Sequence, residues 1–301
     1  MKQQARVSAV LLEEMALNLG AHKALEVYLA ASGVKITRTL MVDTELDRFL
    51  STISDFDIQI LLSKEKFLLG TDAGKGGYGN SFGAVVPTDH PQGHFCVYIG
   101  RDLLELDEAR RLDENGDDEC FGKMLGIPEC CRLHFAENKK RFSATQNDPS
   151  LFTKQDSPMV PWCSHFPMYF GYGLFSHFPC SVACDATHKM AIRNEAMLRK
   201  VAPELAEIFL NYQFSNYLYS EYDGVFSFGE IDKCQSGEGL SWRYNNRKLE
   251  ATSSSLLSEI IFSCDCITYR GFELEFKREG AIRLLTDASR YVVGFHCEPR
   301  P

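Results

Sequence analysis

Apolar residues recur at helical spacing from about Val7 to Ser32, where Val10, Leu11, Met15, Leu17, Leu19, Leu25, Val27 and Leu29 stand among Ala and Glu. Positions three and four apart share one helical face, so the pattern predicts helix, broken near Gly20. A short helix is predicted over Asp43–Ile53, with Asp43 or Thr44 as its cap. Apolar runs at Ile58–Leu62, Phe67–Leu69 and Phe95–Ile99 read as strands. The last two flank a loop carrying Gly70, Gly74, Gly76, Gly77, Gly79 and Gly83.

From Leu103 to about Phe142 the period is helical again, punctuated by the acidic Asp113–Glu119 and by Gly126-Ile127-Pro128. Ser143–Pro161 is polar and reads as a surface loop. The aromatic stretch Trp162–Phe178 precedes a predicted helix over Ser181–Val201, and Pro203 opens another as its first residue. Beyond Tyr222 the pattern turns to strands: Val225–Phe228, Leu240–Tyr244, Ile260–Tyr269, Phe272–Phe276 and Tyr291–Phe295, with turns at Asn245-Asn246 and Glu279-Gly280. The expected fold class is α+β. A mixed N-terminal part covers residues 1–110, a helical cysteine-bearing region 111–220, and a β-rich part 221–301.

Composition changes this picture little: 45% hydrophobic and 24% charged residues describe an ordinary globular chain. The formal charge of −9 repels phosphate backbones and disfavours broad nucleic-acid binding. Lys139-Lys140-Arg141 is the best basic patch, and at a helix end it complements the negative pole. Glu13, Glu14 and Asn18 break the apolar core a signal peptide needs, and no apolar stretch has membrane-spanning length. The expectation is a cytoplasmic protein.

Cysteine usage then becomes informative. Eleven cysteines cannot all pair within one chain, and a reducing compartment suppresses disulfides. Metal ligation, catalysis and burial compete to explain them. Two proline-led clusters stand out: Gly126-Ile127-Pro128-Glu129-Cys130-Cys131 and His177-Phe178-Pro179-Cys180-Ser181-Val182-Ala183-Cys184. Proline suits the first turn of a helix, where its missing N–H costs nothing. The cysteines behind it would sit at the positive helix end, which favours thiolate, the form that binds metals or attacks electrophiles. Cys184 is predicted one turn above Cys180 on the same helical face. Adjacent helical residues point about 100° apart, so Cys130 and Cys131 argue for a multi-iron cluster over one small ion. The spacing matches no zinc ribbon.

Leu125-Gly126-Ile127-Pro128-Glu129-Cys130-Cys131, followed by His177-Phe178-Pro179-Cys180-Ser181 with Cys184, resembles an uncharacterised prokaryotic family. That family shares Leu-Gly-x-Pro-Glu-Cys-Cys and His-x-Pro-Cys-Ser-x-x-Cys segments. The likeness covers roughly residues 120–200 and implies that the four cysteines belong together. It supplies no activity.

Other candidates lie near these clusters. His177 precedes Cys180 by three residues, as a ligand or a donor to a cluster sulfur. His165 recurs in a parallel setting, since Ser164-His165-Phe166-Pro167 is echoed by Ser176-His177-Phe178-Pro179. Cys163 and His134 are also close in sequence, and Trp162 with its aromatic neighbours suits a pocket roof or core packing. Gly74-Lys75-Gly76-Gly77-Tyr78-Gly79 matches a dinucleotide fingerprint in form only, because Asn80, Ser81 and Pro87 follow in place of a helix. Asp113–Glu119 lacks calcium-loop spacing and reads as a solvated turn. Cys264-Asp265-Cys266 reads as a strand aiming both thiols at one face, either simply buried or a second metal or redox pair, and no nucleophile-elbow motif occurs.

The reading that unites these signals is a cytoplasmic metalloprotein. An iron–sulfur cluster, 4Fe–4S in type, is held by Cys130, Cys131, Cys180 and Cys184. His177, His165 and Glu129 are the candidate catalytic groups of an oxidoreductase or sulfurtransferase, with Arg132 as a substrate clamp. A small-molecule substrate and a protein donor of electrons or sulfur are the expected partners. A zinc-stabilised binding module and a metal-free thiol enzyme are the alternatives.

Overall fold

The computed structural model describes residues 2–54, 56–69, 82–144, 149–153, 159–220, 222–229, 231–236, 239–270, 273–287 and 291–295. Most of the glycine-rich loop, including the Gly74–Gly79 motif, lies outside them. The described residues form an α+β protein with three antiparallel sheets.

The predicted N-terminal helix is two, α1 (Lys2–Leu19) and α2 (Ala21–Ala31), parted at Gly20, whose φ of 89° suits glycine. Helix α2 buries Ala24, Leu25, Val27, Tyr28, Leu29 and Ala30, so it is core on nearly every side. Strand β1 (Thr37–Met41), unforeseen in the sequence, leads to α3 (Asp43–Ile53). The N-cap of α3 is Val42, not Asp43 or Thr44; the Asp43 carboxylate turns instead to the buried Lys66 ammonium at 2.8 Å. Strand β2 (Gln59–Leu69) joins two of the predicted runs, with an irregular register between Leu62 and Lys66. Strand β3 (Phe82–Val86) takes in Gly83, and β4 (His94–Gly100) sits inside the sheet order β1-β4-β2-β3.

Strand β4 is buried on both faces, which explains why Phe95–Ile99 reads as a continuous apolar run. Val97 and Ile99 join a core with α1, α2 and α3. Cys96 and Tyr98 join another with α4 (Leu103–Glu114) and α5 (Asp118–Met124). The acidic Asp113–Glu119 is not simply a solvated turn. Asp113 accepts from Arg38 and the Tyr98 hydroxyl, and Asp117 caps α5 through the Cys120 N–H. Helix α6 (Glu129–Ala144) follows, and its Lys139 pairs with Asp118.

Residues 149–153 depart from the predicted surface loop, since Ser150 is fully buried in a 3₁₀ turn. Helix α7 (Asp185–Val201) begins four residues later than predicted, and α8 (Pro203–Gln213) opens at its proline as expected. The first core crosses residue 110, because Ala191 and Leu198 of α7 and Phe209 of α8 belong to the same apolar cluster as α1 and α2.

The remaining strands are β5 (Tyr217–Ser220), β6 (Gly224–Ser227), β7 (Ile231–Ser236), β8 (Gly239–Tyr244) and β9 (Glu250–Ala251). Helix α9 (Leu256–Ser263) intervenes where the sequence reads as the start of a strand. The reason is local: Ser255 and Ser258 form a reciprocal capping box that nucleates a helix ahead of Ile260. Strands β10 (Cys266–Arg270), β11 (Glu273–Arg278), β12 (Ala281–Asp287) and β13 (Tyr291–Gly294) complete the fold. Sheet orders are β13-β5-β6-β9 and β12-β11-β10-β8-β7. The β11–β12 hairpin turns at Glu279-Gly280, both with positive φ, as a tight two-residue hairpin requires.

Candidate metal centre

The first cysteine pair is positioned by a helix stop followed at once by a helix start. Helix α5 ends in a Schellman motif: Gly126 N–H bonds Lys123 C=O, and Ile127 N–H bonds Gly122 C=O. Gly126 carries the positive φ of 73° that this motif needs. Pro128 then ends the extension, and its carbonyl accepts the first bonds of α6, from the N–H groups of Cys131 and Arg132. Arg132 ties the turn from behind, donating to Ile127 C=O at 2.7 Å. Cys130 and Cys131 therefore sit in the first turn of α6, as predicted.

The second pair is held differently from the expectation. Cys180 and Cys184 do not share a helix face, because residues 180–184 form a turn and Cys184 is the N-cap of α7. The Ser181 side chain accepts from the Ala183 N–H, offering the backbone a turn in place of helix. Val160 N–H to Val182 C=O and the Cys163 thiol to Cys184 C=O, at 3.2 Å, anchor this turn to the 159–163 segment.

The two pairs converge. The sulfurs of Cys130 and Cys131 lie 3.9 Å apart, Cys130 and Cys184 3.6 Å, and Cys131 and Cys184 3.7 Å. All four sulfurs, Cys180 included, lie within 4.8 Å of one another and can hold a metal ion. The expectation that neighbouring cysteines must diverge is corrected, because their side chains swing from adjacent positions toward one point. Cys131 and Cys184 are buried, Cys180 is half-buried and Cys130 is exposed, so the centre has one open edge.

Electrostatics fit such a role. Hydrogen bonds from Cys131, together with Thr187, hold the Cys184 thiol down to about 4 against the opposing effect of burial. The bond to Cys184, with burial, pushes Cys131 well above the ordinary thiol range. Burial and the Cys184 charge push Cys180 up to about 12. The thiolate of Cys184 thus opposes ionisation of Cys131 and Cys180 beside it, and a bound cation would supply the positive charge that lets them ionise too. The N–H of Cys180 also donates to the Cys131 sulfur at 3.4 Å.

Thr187 is the residue that sequence reasoning missed. It lies three positions after the N-cap Cys184, and its hydroxyl reaches the sulfurs of Cys184 at 3.4 Å and Cys131 at 3.5 Å. A hydroxyl residue at this spacing is the available signal, as in a capping box. His177 bonds the same hydroxyl through Nε2 at 3.0 Å, so it meets the sulfurs through Thr187 and not directly. His165 is buried against Phe166 and Phe178, with Nε2 3.0 Å from the Ser150 hydroxyl. Burial pushes both imidazoles down to about 3, His177 further by Lys35 and His165 further by His177, so both are neutral. Glu129 stands exposed at the first residue of α6. His134 points elsewhere, bonding Phe152 C=O. The aromatic stretch packs as core, with Phe166 between Tyr217 and Tyr219.

The pair Cys264 and Cys266 does not share a strand. Cys264 caps the C-terminus of α9 inside the third sheet's core, and only Cys266 lies on β10. No helix among the described residues is long and apolar enough to cross a membrane. Comparisons with protein-family models, curated proteins and solved structures find no match to this chain.

Proposed function

We propose that this protein is a metalloprotein in which Cys130, Cys131, Cys180 and Cys184 bind one tetrahedral ion, zinc in the first place, and that the ion pins α6 to the start of α7. The observation that carries this reading is the spacing of the sulfurs. A zinc–sulfur bond of about 2.3 Å gives a tetrahedral edge of about 3.8 Å; the separations among Cys130, Cys131 and Cys184 run from 3.6 to 3.9 Å, and the Cys180 sulfur lies within 4.8 Å of each. An all-thiolate donor set is that of closed, structural zinc sites. The likeness of residues 120–200 to a family sharing both cysteine segments supports treating the four as one unit.

The iron–sulfur reading, with redox or sulfur-transfer chemistry, stands second. It draws on the exposed Cys130 and on the N–H donated to the Cys131 sulfur, the kind of bond that tunes cluster potentials. It requires the sulfurs to move apart, because a cluster binds each cysteine to a different iron.

Metal and acid-labile sulfide analysis of protein purified with and without oxygen decides between them. The expected result is one zinc per chain, no visible absorption, and a large fall in Tm on chelation. Iron with stoichiometric sulfide and a brown colour would overturn the zinc reading in favour of the cluster.

A further inference from the structure

Helix α2 carries one charge in its apolar interior, Glu26, only 6% exposed. Its Oε2 accepts from Lys35 and, at 3.0 Å, from the Thr37 hydroxyl. Burial pushes this carboxyl up, but the Lys35 charge and then His22 override it and hold the group at about 2, so Glu26 is ionised. Its other oxygen, Oε1, is buried with no donor at hydrogen-bonding distance, Ser176 adding only a weaker stabilisation of the charge. A buried acceptor without a partner is costly, and native structures supply one from protein, ligand, ion or water.

A cavity of about 290 Å³ opens against this carboxylate, and a smaller one of about 110 Å³ lies beyond the wall of Glu26, Thr37, Arg38 and Ser176. The larger cavity has a second orphan: Nδ1 of His94, at the start of β4, is buried and unbonded. Two residues from separate elements, each with one buried and unsatisfied polar atom, thus line one space. Its wall also carries Lys23, about a third exposed, which donates to Leu40 C=O at 3.2 Å and stands 3.9 Å from Glu45, a carboxylate of the same wall. Val27, Leu40 and Leu69 add an apolar side.

We propose that this cleft binds a small zwitterion of amino-acid size, its ammonium on Glu26 Oε1, its carboxylate toward Lys23 and its side chain against Val27, Leu40 and Leu69. The chemistry of the walls sets the class. An ionised, half-satisfied carboxylate calls for a cationic donor, and Lys23 offers a charge to the opposite end. His94 Nδ1 completes the cradle. The smaller cavity ends at His177, which bonds Thr187 beside the sulfurs, so the cleft and the metal centre are neighbours. The proposal holds whichever ion the cysteines carry.

The test is a titration of the full, metal-loaded chain with the free standard amino acids, read by calorimetry and by thermal unfolding. At least one should bind saturably and raise Tm. The matched acid lacking the amino group, and the matched amine lacking the carboxyl, should each bind at least about tenfold more weakly. Lys23→Met should weaken binding of the amino acid while leaving the amine analogue unaffected, and Glu26→Gln should abolish it. Should Glu26→Gln fail to fold, the analogues and Lys23→Met still decide. Absence of binding by every amino acid, or equal binding of the analogue without its amino group, would overturn the proposal. Metal content measured on the same samples separates this failure from failure of the metal reading.

Discussion

Two regions of this molecule hold paired cysteines close in sequence, and the chain treats them in opposite ways. Cys130-Cys131 at the start of α6 and Cys180/Cys184 in the turn that opens α7 bring their sulfurs within 4.8 Å of one another across a long sequence gap, with those of Cys130, Cys131 and Cys184 3.6–3.9 Å apart. Cys264 and Cys266 are nearer in sequence than Cys180 and Cys184, yet one is packed with Ile261, Leu274 and Phe276 and the other begins a strand. Residue type and spacing are alike; backbone context differs. The Schellman stop, Pro128 and the Ser181 turn aim sulfurs at one another where α6 and α7 begin, whereas the capping box of α9 carries Cys264 into apolar surroundings, where it acts as a small hydrophobe.

The sharpest way to break this comparison is to remove one sulfur from each region. Cys184→Ser should lose the metal and about 4 kcal/mol of stability, the range typical of a lost structural metal. Equilibrium unfolding with metal analysis checks it. A full metal complement in this variant would break the comparison.

Acid should act on the sulfur region next. His165 and His177 have folded pKa values near 3 against an ordinary 6.5, so the unfolded chain takes up their protons first. Stability is therefore intact above pH 6.5 and falls as the pH drops toward 3. Between pH 7 and pH 5 the two sites should cost about 4 kcal/mol together. Urea unfolding at both pH values measures it; a flat profile would remove the buried neutral histidines from the account.

Gly126→Ala tests the backbone device. The new Cβ meets only ordinary contacts with Lys35, at 3.4 Å, so its cost is the left-handed backbone, about 1–2 kcal/mol. Thr187→Val keeps the shape and removes the hydroxyl shared by Cys131, Cys184 and His177. Metal affinity should fall at least about tenfold, with a smaller change in Tm. Competition with a chromophoric chelator reads it. Smallest of all, Cys264→Ala should cost about 1 kcal/mol by leaving a small void, with metal content unchanged.

Legibility followed the range of the forces involved. Helices set by their own period and punctuation, such as α1/α2 around Gly20, α3, and α8 at Pro203, stand plainly in the sequence. Strand β1 was not legible because Thr37-Arg38-Thr39 looks polar, and its place is made by pairing with β4. Helix α9 was masked by its β-branched residues, its two serines being the overlooked cue. At the site, the four cysteines could be named from their proline-led turns. Their separation could not, because it depends on the turn at 181–184 and on side-chain directions, and that separation shifts the reading from a cluster to a single ion. Thr187 and the Glu26 cleft were out of reach for a related reason: each is defined by what tertiary packing brings beside it.

X-ray absorption at the edge of the bound metal tests the central claim most directly. A single ion held by the four cysteines gives one shell of four sulfurs at about 2.3 Å and no second metal nearby. An iron edge with a short metal–metal vector, or a shell containing nitrogen or oxygen in place of a sulfur, would contradict it.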